Sequence, residues 1–362
     1  MVARATFALA LTLFSAYGSA EELQLHEMAV TADGFAPPVV CESDTIDCDC
    51  CGSGPFWFAG TEVTFLGFDA RTGGQVNLSF SDTTAPGVST VSILDGNGLQ
   101  DFAYAPRVWL GRQISENWAV VGRFWQLTDF ATKDPTPAPG TTFTGTNFAT
   151  ITDTSRVRLS TIDIEGIRSF TTASWKVDAS LGVRHASLEA QSAVVAFGVF
   201  TTGNFVNVAL SNGSSFDGTG MVAGLIGRRQ IGDTPASLFL GARGSALWGN
   251  TDSFGRAVGT VASSPSAPLV GAATVTRANA VATSNIFELQ VGVQWDFQIY
   301  DSRVNSFFRT AFEYQHWNVA GLPTGGAGFD GTIGELTTNS FSSAGLPGAE
   351  LYGLSLATGF TW

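Results

Sequence analysis

Hydrophobic residues recur at every second position over most of this chain. The segment Phe287, Leu289, Val291, Val293, Trp295, Phe297 alternates with Glu288, Gln290, Gly292, Gln294, Asp296. The last thirteen residues, Glu350 to Trp362, repeat the pattern: Tyr352, Leu354, Leu356, Thr358, Phe360 and Trp362 face small residues such as Gly353, Ser355, Ala357 and Gly359. A period of two is the mark of a β-strand with one apolar face. The same reading predicts ten strands, beginning at Phe56, Phe102, Trp118, Arg156, Trp175, Gly218, Ser237, near Phe287, Val304 and Glu350.

The spacing between strands carries as much information as the strands. Short turns fall at Ile114–Asn117, around Thr171, at Gly232–Pro235 and at Tyr300–Ser302, and they alternate with five loops of roughly 25–35 residues. Strict long–short alternation with an even strand count is expected of a transmembrane antiparallel up-and-down β-barrel, with short periplasmic turns and long extracellular loops. A soluble β-sandwich or propeller gives no reason for it. Each strand covers about 10–13 residues, near the ~9–11 needed for a tilted crossing of a bilayer.

Composition agrees. Only 14% of the 362 residues are charged, against about 25% in soluble domains, yet past the N-terminus no apolar run reaches the ~18 residues of a membrane helix. The net charge of −13 argues against nucleic acid as a partner, because phosphate neutralisation needs clustered Lys and Arg. Met1 to Ala20 reads as a signal peptide: Arg4, an apolar core from Ala5 to Ala16, and small residues Gly18-Ser19-Ala20 before a cut. No cysteine stands at the new N-terminus, so no lipoprotein anchor is expected. Residues 21–54 form an acidic periplasmic tail holding Cys41, Cys48, Cys50 and Cys51. In an oxidising compartment these are disulfide candidates, with a soft-metal site beside Asp47 and Asp49 as the alternative. Residues 55–362 make the barrel.

Aliphatic and aromatic residues dominate the face assigned to lipid, with Trp175, Trp248, Trp295 and Trp362 near strand ends as girdle residues. The other face carries the pore-lining candidates Glu62, Arg107, Arg123, Asp163, Glu165, Lys176, Asp178, Arg184, Arg243, Glu288, Asp296, Arg309 and Glu313, six basic and seven acidic. Such balance fits either a hydrated constriction with a transverse field or interleaved ion pairs that plug the lumen. Two Arg-x-Trp stretches, Arg107–Trp109 and Arg123–Trp125, could line a constriction or stack within their hairpin. The apolar loop run Val194 to Phe200 could extend the wall as a hairpin or fold inward.

Several stretches resemble the Legionella-type major outer membrane protein family of pore formers and related planctomycete barrels: Ala105-Pro106-Arg107-Val108-Trp109-Leu110-Gly111, Trp118 to Trp125, Ile162 to Glu165, Leu181 to Arg184, Phe216 to Gly224, and Phe312 to Trp317. The resemblance implies an outer-membrane pore for small hydrophilic solutes or ions and supplies no solute. In barrels of this kind the closing strand, with Tyr352, Leu354, Leu356, Phe360 and Trp362 exposed, resembles the signal read by the barrel-assembly machinery. The implied partners are outer-membrane lipid, that machinery and small solutes. A non-conducting structural or adhesive barrel is the alternative. No cofactor is implied, and an enzyme is not expected: His185 and His316 fall on the lipid face by parity, and no Ser-His-Asp set, phosphate loop or metal-spaced His cluster occurs.

Overall fold

A computed structural model describes residues 56–70, 75–82, 87–94, 102–133, 146–172, 174–200, 205–262, 270–299, 304–320, 325–333, 336–344 and 348–362. The predicted signal peptide and periplasmic tail, with the four cysteines, lie outside the described residues.

Fourteen strands are present among them. Ten close into a barrel: β1 (Trp57–Ala70), β4 (Ala103–Ser115), β5 (Trp118–Lys133), β6 (Thr146–Thr171), β7 (Lys176–Phe200), β8 (Phe205–Gln230), β9 (Ala236–Ala262), β10 (Val270–Gln298), β11 (Asn305–Ala320) and β14 (Gly348–Thr361). Every neighbouring pair is antiparallel, and β1 pairs with both β4 and β14. The remaining four, β2 (Gln75–Asp82), β3 (Gly87–Leu94), β12 (Gly325–Ile333) and β13 (Leu336–Ala344), form a separate sheet in the order β12-β13-β2-β3. The transmembrane barrel predicted from the period-two pattern is therefore the fold.

The seam reaches the last residue. Trp57 and Trp362 exchange backbone hydrogen bonds of 2.9 Å each way, and Val63 lies opposite Leu356. Closure leaves no sheet edge, so each backbone group within the bilayer can be satisfied by a neighbouring strand. Outside, Tyr352, Leu354, Leu356, Phe360 and Trp362 are all exposed, as lipid-facing positions must be. Gly353 points inward between them, and a Cβ there would fall 1.8 Å from the Phe65 carbonyl oxygen of β1. The close approach of β1 and β14 thus requires glycine.

Short turns occupy one rim. Glu116-Asn117 joins β4 to β5 after a bulge at Gln113/Ser115. In the β8–β9 turn Gly232 takes φ 58°, a conformation that costs other residues strain, and the Thr234 hydroxyl donates to the Ile231 carbonyl at 2.6 Å.

The long loops differ from expectation. Much of what reads as loop is strand: two of the five hold β2–β3 and β12–β13, and the other three are shortened because β6 to β10 run for 25–29 residues while β1, β4, β5, β11 and β14 run for 13–16. A tilted crossing uses ~9–11 residues, so more than half of each long strand extends past the bilayer. Once both faces meet water, the apolar alternation that identifies a strand disappears, although Thr and Val still favour extended backbone. Pairing between equally long neighbours then holds the wall together. Val194–Phe200 continues β7 against β6 and β8, so it extends the wall as a hairpin. Trp248 likewise lies mid-strand instead of near a strand end, exposed on the outer surface.

Replacing Gly353 with Leu is expected to block closure. The variant should lose the heat-modifiable gel shift of a folded barrel, whereas Gly244→Ala, with nothing within 4 Å of its added Cβ, should keep it.

Candidate functional site, the filled lumen

Inward positions near the middle of the strands converge on one layer of charge. Asp163 of β6 accepts two hydrogen bonds from Arg184 of β7, at 2.7 and 2.9 Å. Arg184 also pairs with Glu288 of β10 at 2.6 Å. Arg243 of β9 reaches Asp163 at 2.7 Å and also Glu165. On the opposite wall Arg107 of β4 joins Glu62 of β1 and Glu313 of β11, both at 2.7 Å, and Arg309 meets Glu62 at 2.7 Å. Gln290 donates to Glu62 at 2.7 Å and to Glu313 at 2.8 Å. Arg107 and Glu288, 3.5 Å apart, connect the two halves.

With Arg123, the layer holds five arginines and five carboxylates. Their formal charges cancel, so the −13 of the whole chain lies elsewhere. Moving an ion out of water costs several kcal/mol even after relaxation, on the order of 20 before it. Cross-strand bidentate pairing is what makes this layer tolerable. Space for the arginine stems comes from small residues. At Gly224 of β8 a Cβ would lie 2.9 Å from Arg243 Cγ.

Toward the long-strand rim the inner face turns apolar. Leu66, Ala105, Leu127, Leu159, Leu188, Phe216, Leu247, Ile286, Trp317 and Leu351, one from each of the ten barrel strands, belong to a single buried cluster. Leu66, Leu127, Leu159, Trp317 and Leu351 are 0% exposed, which only contacts from the opposite walls can produce. Trp125 and Trp317 stack with ring centroids 5.9 Å apart. The two layers are joined: Gln315 donates to Glu313 at 2.6 Å and accepts from the Trp317 indole at 3.0 Å.

Below the charge layer lies a chamber of about 570 Å³, reaching residues of the short-turn rim such as Asn305 and Thr361. Phe58, Trp109, Phe239 and Phe307 line it, and Arg107, Arg123, Arg243 and Arg309 border it from the charge layer.

Of the thirteen inward charges read from the sequence, ten are in this layer. Lys176, Asp178 and Asp296 are not: Asp178 pairs with Arg228 at 2.5 Å, Asp296 accepts from Gln294 at 2.7 Å, and Lys176 is exposed. Of the two inward carboxylates of β6, Asp163 pairs with Arg184 and Arg243, and Glu165 with Arg243. Arg107, on the far side, is taken by Glu62 and Glu313. Neither Arg-x-Trp stretch stacks internally. Trp109 stacks on Phe307 at 6.4 Å and Trp125 on Trp317, while the cation–π contact within the lumen is Arg309 over Phe239, 4.1 Å from the ring centroid. The pore-lining set read from the sequence leaves out Gln290 and Gln315, although they share parity with Glu288 and Glu313 on the same strands, and it leaves out Arg228 of β8, a strand on which it placed no charge. His185 and His316 do face outward, beside Asp217 at 3.4 Å and Glu350 at 3.6 Å. No group of three potential metal-binding side chains is found among the described residues.

No protein-family model and no curated protein matches this chain. Among solved structures it is similar to the outer membrane protease OmpT from Escherichia coli, at 9% identity over 89% of this chain and 99% of that one, with a TM-score of 0.37. Neisserial surface protein A matches at 10% identity over 82% and 98%, TM-score 0.22. A Pseudomonas aeruginosa FadL homologue matches at 10% identity over 85% and 90%, TM-score 0.27. The barrel itself rests on the strand pairing described above.

Removing Arg184 would leave two buried carboxylates short of a partner. Arg184→Gln is expected to lower the unfolding free energy in lipid vesicles by about 3–5 kcal/mol, read by urea titration of tryptophan fluorescence. The exposed Lys176→Gln should change it by less than about 0.5 kcal/mol.

Proposed function

We propose that this chain is an outer-membrane barrel that holds a tall β wall outside the cell, and that its lumen is closed at rest. The observation that carries this reading is the asymmetry of the strands: five consecutive strands of 25–29 residues extend past one rim only. The sheet β12-β13-β2-β3 adds to that end, since its strands are inserted in the connections opposite the short turns. Short turns are periplasmic in bacterial barrels, which would put the wall on the outer surface. The charge layer and the apolar layer supply a stiff base. A fixed wall rich in Thr, Ser and Gly, with few charges, suits contact with other surfaces better than a set of unpaired loops.

The passive pore expected from the sequence needs hydrated, unpaired lumen charges. Paired arginines beneath a dry layer favour the display reading over it. The resemblance to Legionella-type pore formers is retained in this proposal for the barrel and its envelope address alone. The exposed aromatic final strand supports delivery by the barrel-assembly machinery.

A cysteine-labelling experiment tests the placement. In a background with the four native cysteines replaced by serine, Asn207→Cys on the wall should react with a membrane-impermeant maleimide on intact cells. Asp233→Cys in the β8–β9 turn should react only after the envelope is opened. The reverse pattern would overturn the proposal.

A further inference from the structure

The arginines that border the chamber below the charge layer are not evenly neutralised. Six basic and four acidic side chains line it, and Asp163, Glu165 and Glu313 meet Arg107 and Arg243 from the charge layer. Arg123 has one ion-pair contact among the described residues, to Glu165 at a loose 3.7 Å, and its side chain keeps 15% of its exposure. Arg243, Arg309 and Arg228 each hold a buried Nε–H with no acceptor among the described residues. Those three Nε donors are shut off from the chamber by burial, so the guanidinium with donors open to it is Arg123, whose planar fork meets only that loose contact. That fork matches a carboxylate in bidentate geometry.

The walls specify the rest of the ligand. Phe58, Trp109, Phe239 and Phe307 present ring surface below the guanidiniums, and Arg309 lies over Phe239. A chamber of about 570 Å³ falls inside the ~300–1,000 Å³ range of small-molecule sites, which pair an apolar lining with a few fixed polar groups. A small free inorganic anion would leave the aromatic walls unfilled, and an uncharged hydrocarbon would leave the donors unmet.

We propose that the chamber is a binding site for a small organic carboxylate with an aromatic or compact apolar body, entering from the short-turn rim, with Arg123 as its anchor. Its carboxylate would sit at the Arg123 guanidinium, below Arg243, and its body among Phe58, Trp109 and Phe239. The site does not depend on what the outer wall contacts, because it opens toward the other rim.

The test is isothermal titration of folded protein in detergent micelles with 2-naphthoate, with the neutral 2-naphthalenemethanol as the isostere and inorganic phosphate as a competitor. One saturable naphthoate site is expected. Arg123→Gln, which leaves Glu165 its contact with Arg243, should weaken it at least tenfold. Gly241→Leu directs a side chain into the chamber from a position where the added Cβ meets only ordinary contacts, 3.4 Å or more; it should abolish binding while both variants keep the folded gel shift. The alcohol should bind at least tenfold more weakly, and equimolar phosphate should not displace naphthoate. No saturable binding, equal affinity for acid and alcohol, an unchanged affinity in Arg123→Gln, or displacement by phosphate would each overturn the assignment.

Discussion

A charge that cannot reach water has to be neutralised where it stands, and that requirement shapes the interior of this barrel. Ten ionisable side chains enter the lumen from eight of the ten strands, and their signs balance five against five. The two remaining strands, β8 and β14, contribute small residues such as Gly224 and Ser355 at the same level. A lumen of ten strands lies between the filled eight-stranded barrel and the open sixteen-stranded porin. Arginine forks reaching into it can be met by carboxylates on strands that are not neighbours, which is how pairs distant in sequence, such as Arg107 of β4 with Glu313 of β11, come to within 2.7 Å.

The apolar layer depends on the charge layer and protects it. Leu127, Leu159 and Leu351 could not pack to zero exposure without opposite walls held at fixed separation, and the salt bridges fix that separation. In turn the dry layer excludes water from one side of the ions, which strengthens each pair. The hydrogen-bonded run from Glu313 through Gln315 to Trp317 joins the two. The base so formed lets five long strands stand beyond the bilayer by backbone pairing.

Much of this was legible in the sequence, and the reasons for the rest are physical. Period-two alternation located all ten barrel strands because lipid on one face and a lumen on the other impose opposite polarity. Parity alone put Glu62, Arg107, Asp163, Arg184, Glu288 and Glu313 inside. The extent of β6 to β10 was not legible, since a strand wetted on both faces has no reason to alternate. Nor was the apolar layer: Trp125 and Leu127 merely continue the parity of Arg123, and only three-dimensional register brings them into one cluster with Trp317 and Leu351. Pair identities followed the same limit. Asp163 and Arg184 are direct cross-strand partners, which hairpin register can suggest, whereas the Glu288–Arg184 contact crosses the lumen between strands that are not neighbours.

Single-channel current from refolded protein in a planar bilayer tests the closed lumen most directly. A closed lumen predicts a flat baseline from protein shown to be folded by its gel shift, with no discrete steps in symmetric salt. Regular steps of uniform size from that same preparation would contradict it, and the paired charges would then have to be the walls of an open path.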